Sequence, residues 1–172
     1  MVDRIAVIGI SAAGKSIFAR ALAARTGLPL LHGDQMEWLA GWRERPPGEL
    51  KTLHAEWLAR PRWIIEGWID PERTARLDAA DLVIDLDYSR WRCAWRMLQR
   101  MRRAARRDEM PEGCVDRFRW RTLDTVFWKK ERPFIDAALA AATLKRYVRL
   151  RSPRAAAAWL LHSFECHDGV QT

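Results

Sequence analysis

The sequence predicts an α/β fold in three layers, with a five-stranded parallel sheet between two layers of helices. Three observations predict it. Five short apolar runs recur along the 172 residues, separated by stretches rich in helix formers, and that alternation is the pattern of a parallel sheet with helical crossovers. Polar or glycine-rich positions stand at the carboxyl end of the first four runs, where open α/β sheets collect their ligands. The chain is 49% hydrophobic and of single-domain length, enough to bury a core without disulfides. A single domain is expected over residues 1–172, with no internal repeat and no low-complexity linker.

The elements follow in order. Asp3–Ile8 reads as a buried first strand, and Ile17–Arg25 as a helix ending at Thr26-Gly27. Leu28–Leu31 is a short second strand that ends at His32-Gly33-Asp34. Gly41, Pro46, Pro47 and Gly48 mark a loop-rich stretch, and Pro47 opens a helix. Leu50, Leu53, Trp57 and Leu58 give that helix one apolar face, and Pro61 ends it. Trp63–Ile65 is the third strand, with Glu66-Gly67 at its end, and Leu82–Leu86 the fourth, ending at Asp87. A long helix is expected from Ser89 to Arg107, broken by Met110-Pro111-Glu112-Gly113. Residues 116–131 read as helical again, with Pro133 restarting the segment. Tyr147–Leu150 is the fifth strand, and Ser152-Pro153 is an N-cap followed by a first-turn proline for the last helix.

Between the first strand and its helix lies Gly9-Ile10-Ser11-Ala12-Ala13-Gly14-Lys15-Ser16, a complete G-x-x-x-x-G-K-S phosphate-binding loop. Gly9 and Gly14 let the backbone wrap a phosphate. The amides of Ser11, Ala12, Ala13 and Gly14, with those of Lys15, Ser16 and Ile17 at the helix start, supply the donors, and the helix dipole adds partial positive charge. Lys15 is expected on the β- and γ-phosphates of ATP, and Ser16 on Mg²⁺. The strand-end acids Asp34 and Glu66 either hold the metal through water beside Ser16 or accept a substrate proton. Asp87 reads as a structural acid before a helix start, and Asp85 as a strand residue outside the chemistry.

Net charge is +8, and arginine supplies most of it. Such a surface suits phosphate-rich partners, either nucleotides or nucleic acid. Arg92, Arg96, Arg100 and Arg103 form one stripe along the long helix. Beside a triphosphate, that stripe clamps the transferring phosphoryl group. Arg117, Arg119 and Arg121 follow the break and are placed to close over it. On DNA, the same stripe neutralises backbone phosphates. Ten tryptophans are expected mainly in core or cleft. Trp91 and Trp95 are read as packed against the sheet. Trp38 and Trp42, four residues apart after a strand-end acid, line an acceptor pocket or, in the case of Trp38, the core.

The three cysteines, Cys93, Cys114 and Cys166, are scattered and form no Cys-x-x-Cys pair. That usage points to free thiols in a reducing compartment. No metal is expected at Cys166-His167 near His162. With no apolar run long enough to span a bilayer and no charged-then-apolar leader, the expected location is cytoplasmic, away from membranes.

Several motifs recur in order: Gly9–Ser16, His32-x-Asp34, Trp38-x-x-Gly41-Trp42, Trp63–Gly67, Asp81-x-Val83-Ile84-x-Leu86-Asp87, Arg90-Trp91, Glu112-Gly113-Cys114 and Leu150–Pro153. Together they resemble the adenylate-kinase-related proteins of the DNA topology modulation (FlaR-type) family, over roughly residues 3–161. The resemblance implies a P-loop NTPase fold like that of nucleoside-monophosphate kinases. It implies an acceptor-binding region over 34–61 and a helical lid over about 100–125. It also implies that Arg96 and Arg100 are lid-base arginines and that Asp34 and Glu66 meet hydrated Mg²⁺. The chain departs from adenylate kinases after Glu66-Gly67, where Trp68-Ile69-Asp70 replaces the monophosphate-gripping Phe-Pro-Arg. Arg73 and Arg76 are the substitutes within reach.

The expected function is therefore an ATP-dependent phosphotransferase. Lys15, Asp34, Arg96 and Arg100 are its catalytic residues, and Asp34, Trp38, Trp42, Glu66 and Gly67 hold a small acceptor, possibly a nucleotide by the family likeness. The alternatives are an ATP-binding, DNA-associated protein that modulates topology, and an ATPase-like regulator without an acceptor. Oligomeric state is not legible.

Overall fold

Four consecutive apolar residues, Ile5–Ile8, make β1 (Arg4–Gly9) the central strand, and all four are fully buried. The computed structural model describes residues 2–69, 74–102, 111–114 and 120–163. β1 pairs in parallel with β5 (Trp63–Glu66) on one side and β6 (Leu82–Leu86) on the other. β2 (Leu30–His32) joins β5, and β7 (Tyr147–Leu150) joins β6, both in parallel. The sheet order β2-β5-β1-β6-β7 confirms the five-stranded parallel sheet expected from the apolar runs. Strands buried on both faces need no polar alternation, so β5 and β6 are buried at every position.

Register brings the strand ends together. Val7 lies opposite Glu66, His32 opposite Glu66, and Gly9 opposite Leu86. At Gly9, with φ at +143°, an added Cβ would lie 2.6 Å from the Leu86 carbonyl oxygen, so only glycine lets the chain leave β1 there. α1 (Lys15–Thr26) follows and ends at Gly27 in the left-handed conformation.

Two stretches held elements that periodicity did not reveal. α2 (Gly33–Glu37) is five residues long, too short to show a helical repeat. β3 (Trp38–Leu39) and β4 (Arg43–Glu44) form an antiparallel hairpin. Its turn carries Gly41 and Trp42 at positive φ, +72° and +61°. α3 (Pro47–Ala59) starts at the expected proline, and the short α4 (Ala75–Ala79) precedes β6.

α5 (Arg90–Arg102) covers the described part of the expected long helix. Its inner face is Cys93, Met97 and Met101, all buried. Trp91 and Trp95 lie two residues from Cys93, about 200° around the helix, and are 67% and 57% exposed. They do not pack on the sheet as expected, because the slim sulfur side chains take that face. Trp128 is also exposed. Trp120's side chain lies outside the described ones, and of the other nine tryptophans Trp63 is the fully buried one. The expected 116–131 helix is observed as α6 (Trp120–Phe127), and α7 (Arg132–Ala141) restarts with Pro133 in its first turn. α8 (Pro153–Ser163) is capped as expected, with the Ala155 amide donating to Ser152 Oγ at 3.1 Å. Among the described residues, no helix is long and apolar enough to cross a membrane.

Candidate active site

The phosphate loop turns tightly. The Ala13 amide donates to the Ile10 carbonyl at 3.2 Å, and Ala12 and Gly14 take positive φ. Lys15 folds back over the loop, and its Nζ donates to the carbonyls of Gly9 and Ile10 at 3.0 and 3.2 Å. Ser16 Oγ donates to Glu66 Oε1 at 3.1 Å. The same oxygen lies 2.7 Å from His32 Nδ1. Glu66 is 2% exposed, so its carboxylate is held by a hydroxyl and an imidazole inside the strand ends. Ser16 and Glu66, expected to share a metal ion, thus meet directly. His32 joins them, a residue that sequence reasoning noted only within a motif. Ile17, expected at the helix start, points its side chain outward and is 59% exposed.

Two glycines pinch the neighbouring strand ends together. A Cβ on Gly33 would lie 2.8 Å from the Glu66 carbonyl oxygen, and one on Gly67 would lie 3.1 Å from the Gly33 Cα. Asp34 follows immediately, in the first turn of α2. Its backbone follows directly on the glycine that packs against Glu66 and Gly67. Arg76, one of the two substitutes for the missing arginine, is bound to backbone here. It is 5% exposed, and its Nη2 donates to the carbonyls of Gly67, at 3.1 Å, and Trp68. Its guanidinium supports the backbone after β5. Arg73 lies outside the described residues.

The arginine stripe divides. Arg96 reaches the loop: a Cβ on Gly14 would lie 2.9 and 3.0 Å from its Nη1 and Nη2. Arg100 lies one turn further on, half-buried, with Nη2 against Met97 Sδ at 3.2 Å. Arg92 is exposed. Arg103, Arg117 and Arg119 lie outside the described residues, as does the side chain of Arg121. Cys166 and His167 are also outside them, and His162 is exposed on α8.

The hairpin and residues 111–114 meet. The Gly41 amide donates to the Glu112 carbonyl at 3.0 Å, the Trp42 amide to Cys114 Sγ at 3.2 Å, and Cys114 Sγ to the Leu39 carbonyl at 3.5 Å. Two motifs some seventy residues apart in the chain thus form one clasp. Trp38 and Trp42 are half-buried there and stack edge to face, with ring centroids 5.3 Å apart.

The connection between α6 and α7 closes the other side. Lys129 Nζ pairs with Asp87 at 2.6 Å, and Arg132 Nη1 donates to both oxygens of the fully buried Asp85 at 3.0 and 2.8 Å. Between them, Glu131 accepts from the Ser11 amide at 2.6 Å and from Ser11 Oγ at 2.7 Å. Asp87, ahead of the start of α5, is also an ion-pair partner of Lys129. Burial pushes its carboxyl up, but Lys129, Arg132 and Arg149 together hold it below the usual range. Glu131 and Arg132 gave no sequence signal, since a charged pair before a proline reads as an ordinary helix start. Among the described residues, no three His, Cys, Asp or Glu side chains converge as a metal cage.

No protein-family model matches this chain, and no curated protein matches it in sequence. Solved structures do. The chain is similar to the shikimate kinase of Acinetobacter baumannii bound to shikimate, at a TM-score of 0.59 and 13% identity, covering 96% of each chain. It is similar to a Chloroflexus aurantiacus protein described provisionally as a kinase, at 0.58 and 18%, covering 94% of this chain and 96% of that one. The shikimate kinase of Bacteroides thetaiotaomicron follows at 0.53 and 13%, covering 95% and 96%. The fold is that of the P-loop kinases. This bears out the nucleoside-monophosphate-kinase-like architecture expected from the sequence, and none of these likenesses concerns DNA.

Proposed function

We propose that the protein is an ATP-dependent phosphotransferase that moves the γ-phosphoryl group to a small polar acceptor. The observation that carries this reading is the seating of Arg96 against Gly14 of the phosphate loop. The same loop presents Lys15 on one side and the Ser16–Glu66–His32 group on the other. That is a donor site with a cation over it and a buried carboxylate behind it. The loop fits a triphosphate: at Gly14 a side chain would fill the space beside the Arg96 guanidinium. Mg²⁺ fits Ser16, with Glu66 reaching it through water, and when bound it would neutralise phosphate charge.

The residues divide the work. Lys15 leaves its carbonyl partners to meet the β- and γ-phosphates. Arg96 offers a planar pair of donors to developing charge, with Arg100 the next cation along the helix. In this reading Asp34 orients or deprotonates an acceptor hydroxyl, and Gly67, Trp38 and Trp42 belong to the acceptor side. Catalysis is then mainly positioning and electrostatics. The shikimate kinases among the fold neighbours support a small-molecule acceptor over a macromolecular one. The departure of Arg96 and Arg100 from an open stripe weakens the DNA reading, because those guanidinium groups face the protein. No membrane partner enters the reading, and a cytoplasmic location accords with it.

Lys15→Ala is expected to abolish phosphotransfer while leaving the unfolding transition in place. A screen of Mg-ATP against nucleoside monophosphates, nucleosides, sugars and hydroxy acids reads this directly. Full activity in the variant, or only slow hydrolysis by the wild type across the panel, refutes the kinase reading.

A further inference from the structure

We propose that Glu131 is an internal competitor of the nucleotide: its carboxylate occupies donors of the phosphate loop and must be displaced by the incoming polyphosphate. The proposal rests on the donor-site reading above and goes beyond it, since a loop with this sequence motif needs no internal anion.

The geometry is specific. Both oxygens of Glu131 are engaged, one by the Ser11 amide at 2.6 Å and the other by Ser11 Oγ at 2.7 Å. Two donors converging on a carboxylate from one loop residue mark an oxyanion position, and charge-assisted bonds of this length are strong. The flanking cations are committed elsewhere. Lys129 pairs with Asp87 and Arg132 with Asp85. Glu131 therefore brings a negative charge to a loop built to attract one, and Ser11 answers it.

The same two ion pairs fix the backbone on either side. Asp85 is fully buried and Arg132 is largely so, its side chain 12% exposed. The α6–α7 connection is thus pinned to the end of β6, and Glu131 clears Ser11 by rotating its own side chain. With the backbone held, its charge stays within a side chain's length of any bound phosphate. A metal-bound polyphosphate, gripped also by Lys15 and Arg96, displaces the carboxylate.

The experiment measures Mg-ATP binding by calorimetry and by the nucleotide-induced rise in unfolding temperature, with no dependence on turnover. Wild type, Glu131→Gln, Glu131→Ala and Lys15→Ala are compared. Glu131→Gln keeps the shape and removes the charge, so it also serves if the alanine variant folds poorly. Both Glu131 variants are expected to bind Mg-ATP about tenfold more tightly, one decade of affinity for the loss of one charge-assisted competitor. Their nucleotide-induced rise in unfolding temperature should exceed that of the wild type. A residue that merely braced the loop would lose affinity on substitution, so unchanged or weaker binding in Glu131→Gln overturns the proposal. Binding by the wild type that Lys15→Ala abolishes, with Glu131→Gln unchanged, overturns this inference alone. Binding by none of the four proteins overturns the donor-site reading as well.

Discussion

His54 lies on α3 close enough to Arg76 to feel its charge. Burial first, and then the arginine, hold its imidazole below the ordinary histidine value near 6.5. The unfolded chain takes up a proton near that value and the folded chain only at lower pH. The contribution to stability is therefore complete above about pH 6.5 and is lost as pH falls through the folded value. Unfolding free energy measured by denaturant from pH 7.5 down to 5 should decline in the wild type, and His54→Gln should flatten that decline. An unaltered slope in the variant would show that other groups carry it. At this scale the sequence was only partly legible. Arg76 was named as a substitute for an absent arginine, yet a lone arginine reads the same in sequence whether it grips a ligand or two backbone carbonyls. Only the path after β5 shows that Gly67 and Trp68 take its donors.

Among the elements, β6 and the α6–α7 connection carry the most electrostatic weight. Asp85 was read as a bystander in its strand, and it anchors Arg132, Arg149 and Tyr147 from a fully buried position. Removing one partner of a buried pair leaves the other charge without compensation and costs about 3–5 kcal/mol. Asp85→Ala is expected to lose stability in that range by chemical denaturation, and a loss below about 1 kcal/mol would mean the pair is not desolvated. The strands themselves were legible because uninterrupted apolar runs have few other uses in a chain of this class. α2 and the β3–β4 hairpin were not legible, since elements of two to five residues are too short for any period to appear. Their position is set by Gly33, by the positive-φ turn at Gly41-Trp42 and by the clasp with Glu112 and Cys114.

For the molecule as a whole, the tryptophans separate composition from architecture. Trp63 is buried in the sheet, whereas Trp91, Trp95 and Trp128 stand exposed on α5 and beyond α6. Trp91 packs edge to face on Phe127, with Arg90 over both rings. Trp63→Ala should cost about 3–5 kcal/mol through the cavity it leaves. Replacing Trp95 by serine should change stability by less than about 1 kcal/mol. Equilibrium unfolding of the two variants checks the contrast, and equal losses would place Trp95 in the core.

The sequence by itself determined the sheet, its parallel sense, the place of the phosphate loop and the strand ends at which Asp34 and Glu66 stand. Those follow from local patterns: apolar runs, glycines and a helix start, each read over fewer than a dozen residues. Tertiary structure alone decided which side chains meet. The Ser16–Glu66–His32 group, Arg96 against Gly14, the clasp of the hairpin with Glu112 and Cys114, and Glu131 on Ser11 each join residues far apart in the chain. Their distances depend on strand register and helix packing, and a charged residue's own neighbours in sequence carry no record of the partner it will face.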